Sequence, residues 1–236
     1  MLYLFPNVLD ESQQHQAFFP HTVDACVAEI EGIIAESEKS ARAFLKRFSF
    51  SQGRSFREIP IRLLNEHTTE EEVKELLIPL LRQEKWGLIS DCGLPCLADP
   101  GAKLVALAHK NKIVVRTFPG PSSIVMALML SGLYTQRFTF HGYLPREVPL
   151  LLKKLKSMEL EVLHQDMTQV FIEAPYRNQK LLESLLDTLS PSLILSVACD
   201  LTLDTEKILS LPIQEWKRQN LEYYNKKPVV FLFGKG

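Results

Sequence analysis

The chain holds 236 residues, 46% hydrophobic and 23% charged, which places it among ordinary globular proteins with one large or two small domains. Its 27 Lys plus Arg against 28 Asp plus Glu leave a formal net charge of -1, which excludes chain-wide attraction to nucleic acid or acidic membranes but not a local basic patch. The longest mid-chain apolar run, Ile124 to Leu130, falls far short of the ~20 residues that span a bilayer, and the start MLYLFPNVLDES has neither the basic segment nor the cleavage site of a signal peptide.

In chain order, Tyr3–Phe5 reads as a short strand and Thr22–Glu31 as a helix. Gly32–Ala35 reads as a strand, with one helix running through Gly32 as the alternative. Ser37–Phe48 reads as a helix, because Ala41, Phe44, Leu45 and Phe48 fall on one face. Thr68 with Glu71 three residues on has the pattern of a capping box. The stripe Val73, Leu76, Leu77, Leu80, Leu81 then predicts a helix kinked or stopped at Pro79. There follow strand Trp86–Ser90, helix Ala102–Lys110, strand Ile113–Phe118 and helix Ser122–Leu130. Strand Phe138–Phe140, helix Val148–Gln165, strand Val170–Glu173 and helix Gln179–Leu189 come next, and strands Leu193–Ala198, Lys207–Leu211 and Val229–Phe233 finish the series. Alternating strands and helices predict α/β layering. The turn FPGPSS marks a domain boundary, giving α/β domains at 1–118 and 119–236.

In open α/β sheets ligands bind beyond the carboxyl ends of strands, so loops that follow strands hold the candidate sites. Four stand out. In SDCGLPCLADPG, Gly93 permits close backbone approach, Pro95 and Pro100 stiffen the loop, and Asp99 either caps the next helix or binds a ligand. In FPGPSS, Ser122 and Ser123 open a helix whose free N–H groups suit a polar ligand or a simple cap. In FIEAPYRN, Tyr176 and Arg177 suit a ring or phosphate, and Pro175 suits a helix entry. In SVACDLT, small Ala198 and Cys199 leave room for a ligand or for close packing.

Other chemistries lack their signatures: no G-x-G-x-x-G, no Walker loop and no G-x-S-x-G occur. Cys92 and Cys96 are not at C-x₂-C spacing and no His pair accompanies them, so no metal is expected. With Cys26 and Cys199 they fit a reduced, cytoplasmic compartment. His141 follows a strand and reads first as a packing residue.

Together these stretches resemble the tetrapyrrole-methylase superfamily of S-adenosylmethionine-dependent methyltransferases, nearest the branch that methylates a ribose 2′-hydroxyl of small-subunit ribosomal RNA. LISDCGLPCLADPG is similar to that branch's S-D-A-G-x-P-x-x-x-D-P-G. FPGPSSIVMALMLSGLYTQRFTFHGYLP is similar to P-G-P-S, S-G-L, R-F and G-F-L-P in order, VFIEAPYRN to F-Y-E-S-x-x-R, and VACDLT to A-R-E-L-T. The resemblance implies two α/β domains with a cleft between them, usually as a homodimer. It implies that Leu9, Leu94, Leu97, Ser122, Ser123, Ala174, Ala198 and Pro228 hold the methyl donor.

The chain also departs from the branch: FPNVLDES stands for T-P-I-G-N-L, Ala35 to Lys39 for A-E-D-T-R, and Cys199-Asp200 for R-E, all on the acceptor side. Methylating a hydroxyl profits from a general base. Glu36 ranks first, then Asp91, which is equally a structural residue, and Glu173; Lys39, Arg42, Arg146 and Arg177 are candidates for RNA phosphates. The favoured acceptor is ribosomal RNA or the small ribosomal subunit, against a small molecule such as a tetrapyrrole or a non-catalytic donor-binding homologue.

Overall fold

The computed structural model describes residues 1–236, which form two compact units, Met1–Ser122 and Ser123–Gly236. The first unit carries strands β1 (Leu2–Leu4), β2 (Gly32–Ala35), β3 (Ile61–Leu63), β4 (Trp86–Leu88) and β5 (Val115–Thr117). Its helices are α1 (His21–Val27), α2 (Glu38–Leu45), α3 (Glu70–Leu81) and α4 (Ala102–Lys110). All strand pairs are parallel, in the order β3-β2-β4-β1-β5. Such a sheet is covered on both faces, which is why β2 reads GIIA without polar alternation. Successive side chains still part to opposite faces. Tyr3 and Ile33 join the core made with Val23, Val27, Ala41 and Phe44, from α1 and α2. Leu2 and Ile34 join the core made with Val73, Leu76, Leu104 and Ala108, from α3 and α4.

The strand Gly32–Ala35 is as expected and the alternative helix through Gly32 is excluded: Gly32 lies in β2, where an added Cβ would sit 2.4 Å from the Trp86 ring, so only glycine fits. Other expectations change. The capping box of α3 is built on Thr69 and Glu72, not Thr68 and Glu71. Thr68 is diverted, because its hydroxyl accepts from Asn65 N. Pro79 does not stop α3, which continues to Leu81. A proline leaves the carbonyl four residues earlier without its helical donor. That carbonyl, Glu75 O, accepts from Arg62 Nη1 at 2.9 Å. Strand β3, supplying this arginine, was not expected from the sequence.

The second unit carries α5 (Ser123–Leu130), β6 (Phe138–Tyr143), α6 (Val148–Gln165), β7 (Thr168–Ile172), α7 (Asn178–Thr188), β8 (Ile194–Cys199), β9 (Lys207–Pro212), α8 (Ile213–Trp216) and β10 (Val229–Gly234). Its sheet order is β6-β7-β10-β8-β9; β6 and β7 are parallel and the other pairs antiparallel. Leu151, Leu155, Met158 and Val162 form the buried stripe of α6, and Leu181, Leu182, Leu185 and Leu186 that of α7. Both pack on Phe171, Val197, Phe231 and Phe233 of the strands. The short α8, also unexpected, buries Trp216, whose Nε1 donates to Leu195 O at 2.8 Å. No helix is long and apolar enough to cross a membrane.

Candidate functional site

Because β1, β2, β4 and β5 run parallel, the loops that follow them emerge on one edge of the first sheet. Neighbours β2 and β4 lead away in opposite directions, β2 to the edge strand β3 and β4 past β1 to β5. Such a divergence opens a crevice at the carboxyl ends of the strands. Glu36 follows β2 and Asp91 lies beyond β4, at this point.

Hydrogen bonds sew the loops together. Asn7 N donates to Gly93 O at 2.7 Å, and Gly93 N donates to Asn7 O at 3.2 Å. Asn7 Nδ2 donates to Ser90 O and to Asp91 O, both at 3.0 Å. Asp91 N donates to Glu36 Oε1 at 3.0 Å, and Ser37 Oγ to Asp91 Oδ1 at 3.2 Å. Gly93 has φ +74, and a Cβ there would meet Leu9 Cδ2 and Pro121 O at 3.5 Å. At Gly120 a Cβ would strike Pro6 at 2.1 Å, with Leu94 Cδ2 at 3.5 Å. Leu9, Leu94 and the glycine turns are thus gathered on one edge; Ser122, two residues after Gly120, is buried, while Leu97, on the loop of Leu94, is exposed.

Asp99 is neither a free ligand nor the N-cap of α4, which is Gly101. Its carboxylate accepts from Cys96 N at 2.6 Å and Gly101 N at 2.8 Å, bracing a loop in which Cys96 and Ala98 both take φ +67.

Burial raises Glu36 above the ordinary glutamate range; the Asp91 N–H opposes that, and the charges of Asp91 and Asp99 add to it. Burial likewise raises Asp99. Burial, then the Asp99 charge, pushes the Cys96 thiol up to about 12, and Cys92 also rises. Both thiols are therefore poorer thiolates than a free cysteine near neutrality.

In the second unit, the ends of β7 and β8 and the start of β10 share one edge, since Val230 pairs with both Ile172 and Ala198. Glu173, buried after β7, accepts from Ala174 N through Oε1 at 2.8 Å and meets Arg177 Nη2 through Oε2 at 3.2 Å. Ala198 is fully buried, and Pro228 O accepts from Asp200 N at 3.1 Å. Asp200 also meets Lys227 Nζ at 3.1 Å and accepts from Thr205 Oγ1 at 3.0 Å. Ser123 opens α5 of this unit. His141 behaves as a packing residue: its Nε2 lies 2.6 Å from Gln169 Oε1, and burial lowers its pKa.

The four cations proposed for phosphate do not form one group. Lys39 is exposed, 3.8 Å from Glu11. Arg42 Nη1 donates to Phe56 O and Ile59 O, both at 2.9 Å, bracing the chain after α2, and its Nη2 lies 3.9 Å from Glu38. Arg146 and Arg177 share a concavity with Lys180. Sequence reasoning missed Asn7 and Lys180. A lone loop asparagine bonding distant carbonyls leaves no local pattern, and Lys180 is one lysine on an amphipathic helix.

Residues 24–217 match the family model described as Tetrapyrrole (Corrin/Porphyrin) Methylases. The chain is 32% identical over 200 residues to "Ribosomal RNA small subunit methyltransferase I" of Xylella fastidiosa, covering 85% of this chain and 69% of that protein. To the protein of that name in Vibrio cholerae it is 30% identical, covering 80% and 62%. To that of Thermotoga maritima it is 32% identical, covering 68% and 66%. The chain thus spans a little under two thirds of the length of several of these relatives. The crystal structure of the methyltransferase CobJ superposes with TM-score 0.65 at 14% identity, covering 100% of this chain and 94% of that one, a likeness of fold alone.

Proposed function

Since the chain belongs to the tetrapyrrole (corrin/porphyrin) methylases, we propose that it is an S-adenosylmethionine-dependent methyltransferase acting on a ribose 2′-hydroxyl of small-subunit ribosomal RNA. The observation that carries the reading is the meeting of the Glu36, Asp91 and Gly93 loops where β2 and β4 diverge. The printed name of the relatives supports the acceptor.

The residues present suit the donor. Gly93 turns the chain at φ +74 and Gly120 packs directly on Pro6, which brings Leu9 and Leu94 to this turn as apolar surface for the donor. No cluster of cations lines these loops, which suits a ligand without phosphates. When bound, S-adenosylmethionine supplies an electrophilic methyl group on its sulfonium.

The protein's part is orientation and proton removal. Fixed loops hold the reacting groups in line, worth up to roughly 7–11 kcal/mol in well-aligned systems. With the donor bound, Glu36, as carboxylate, would accept the proton of the ribose hydroxyl as that oxygen bonds the methyl carbon and the sulfonium S–C bond breaks to leave a neutral thioether. Its raised pKa strengthens it as a base near neutral pH. Asp91 positions Glu36 through its N–H. Glu173, engaged by Ala174 N and Arg177, fits a positioning role for that arginine better than proton transfer. The reading includes a homodimer working in the cytoplasm; sedimentation velocity reads the first.

The test is transfer of tritium from methyl-labelled donor into undermethylated small subunits, with calorimetry of donor binding alongside. Label in RNA, lost on alkaline hydrolysis only as 2′-O-methylated dinucleotides, is expected. Donor binding with label appearing in a tetrapyrrole pool instead would overturn the acceptor and leave the donor site standing.

A further inference from the structure

The concavity at the starts of α6 and α7 is lined by Arg146, Arg177, Lys180 and Ser184, with Val148 and Leu151 as its apolar part. The hollow itself has room for about 50 Å³ and opens to solvent. Arg177 is held from behind: Glu173, 1% exposed at its side chain, meets it at 3.2 Å. Arg146 and Lys180 make no ion pair and no side-chain hydrogen bond. Three cations therefore face one hollow with a single carboxylate to balance them.

The surroundings sharpen the imbalance. Anionic side chains normally favour the first turn of a helix, where the dipole is positive, as Glu70, Glu71 and Glu72 do in α3. Neither α6 nor α7 has an acid in its first turn, and neither has a side-chain cap. Glu147, the residue before α6, makes no cap bond, and Glu183 on α7 accepts from Gln179. Cations at positive helix ends disfavour the empty state, an arrangement suited to an arriving anion.

We infer that this hollow is a phosphodiester subsite, holding the backbone of the acceptor RNA against the second unit through Arg146, Arg177 and Lys180. The inference rests on the RNA reading above and adds the place of contact. Two features favour a nucleic-acid phosphate over a free one. The cations are spread over two helices, and apolar Val148 and Leu151 offer a surface to ribose and base edges. With a net charge of -1, the chain depends on such a local patch to hold RNA at all.

The experiment compares the wild-type chain, R146E/K180E and R146K/K180R. It measures affinity for a single-stranded fragment of small-subunit ribosomal RNA across salt concentrations, with calorimetry of the methyl donor and melting curves alongside. For R146E/K180E, RNA affinity is expected to fall at least about tenfold at low salt. The slope of log K against log salt should flatten by about 1.4, at roughly 0.7 per lost phosphate contact on single strands. Donor affinity and melting should not move, and R146K/K180R should keep the wild-type slope.

Unchanged RNA affinity and slope in R146E/K180E would overturn the inference. So would inorganic phosphate shifting the resonances of these residues while RNA binds no tighter, which marks a site for free anion. If the wild type binds no RNA, the inference fails, and donor affinity then tells whether the donor site survives. If RNA binding shows the expected slopes but no label is transferred, the methylation reading fails and the subsite stands.

Discussion

Glu36 meets two opposed demands. Its carboxylate must be charged to take a proton, yet burial and the nearby Asp91 and Asp99 charges raise its pKa. A raised carboxyl pKa favours the protonated acid in the folded state. The stability this brings is complete below the unfolded-state value and is lost as pH rises through the folded-state value. Glu36→Gln keeps an acceptor for the Asp91 N–H but loses the charge. It is expected to melt above the wild type at pH 7.5, with the gain vanishing toward pH 4, while kcat falls about 10²–10⁴-fold. Scanning calorimetry across pH and tritium transfer read the two effects separately. Asn7 presents the opposite case: it takes no part in chemistry but satisfies two loop carbonyls, Ser90 O and Asp91 O. Asn7→Ala strands both and should cost about 1–3 kcal/mol. Donor affinity should weaken in calorimetry, and kcat at saturating donor should hold. The sequence offered Glu36 first because it is the acid kept where the resembled branch has A-E-D-T-R, a strand end being common to all three candidate acids; it was silent on Asn7, whose partners lie over 80 residues away.

At the scale of elements, helix α3 shows what periodicity carries and what it leaves out. Of the stripe Val73, Leu76, Leu77, Leu80, Leu81, the first four are buried as expected, whereas Leu81 is exposed. Its start slid by one residue because threonine followed by glutamate three positions on occurs twice in register, and only the turn at Asn65 decides between them. Its continuation through Pro79 depends on Arg62 from β3, a three-residue strand too short to announce itself. Arg62→Ala, which leaves Glu75 O to water, is expected to lower stability by about 1 kcal/mol. That corresponds to roughly 2–4 °C in the melting midpoint for a protein of this size. Helices α4 and α6 matched their sequence bounds because their apolar stripes end at polar turns. Most strands shifted by a residue or two, since pairing partners rather than propensity set where a strand stops.

Across the whole molecule, α/β layering was legible from alternation alone, whereas the order β3-β2-β4-β1-β5 was not, because no local pattern says which strands become neighbours. The four cysteines give a readout that spans both units. Cys92 is exposed, whereas Cys199 is buried and its thiol is pushed up to about 12 by burial and the Asp200 charge. A thiol reagent at pH 8 is expected to label Cys92 first and Cys199 only after denaturation, with all four reacting in denaturant; mass spectrometry of peptides reads the order. The position of β1 also bears on how the chain is made. Leu2–Leu4 pairs with Trp86–Leu88 on one side and Val115–Thr117 on the other. At about 5–20 residues per second, translation leaves that apolar strand without its full set of partners for roughly 6–23 s. The wait ends only when Val115–Thr117 is made, so slower elongation between these two strands prolongs the exposure of β1.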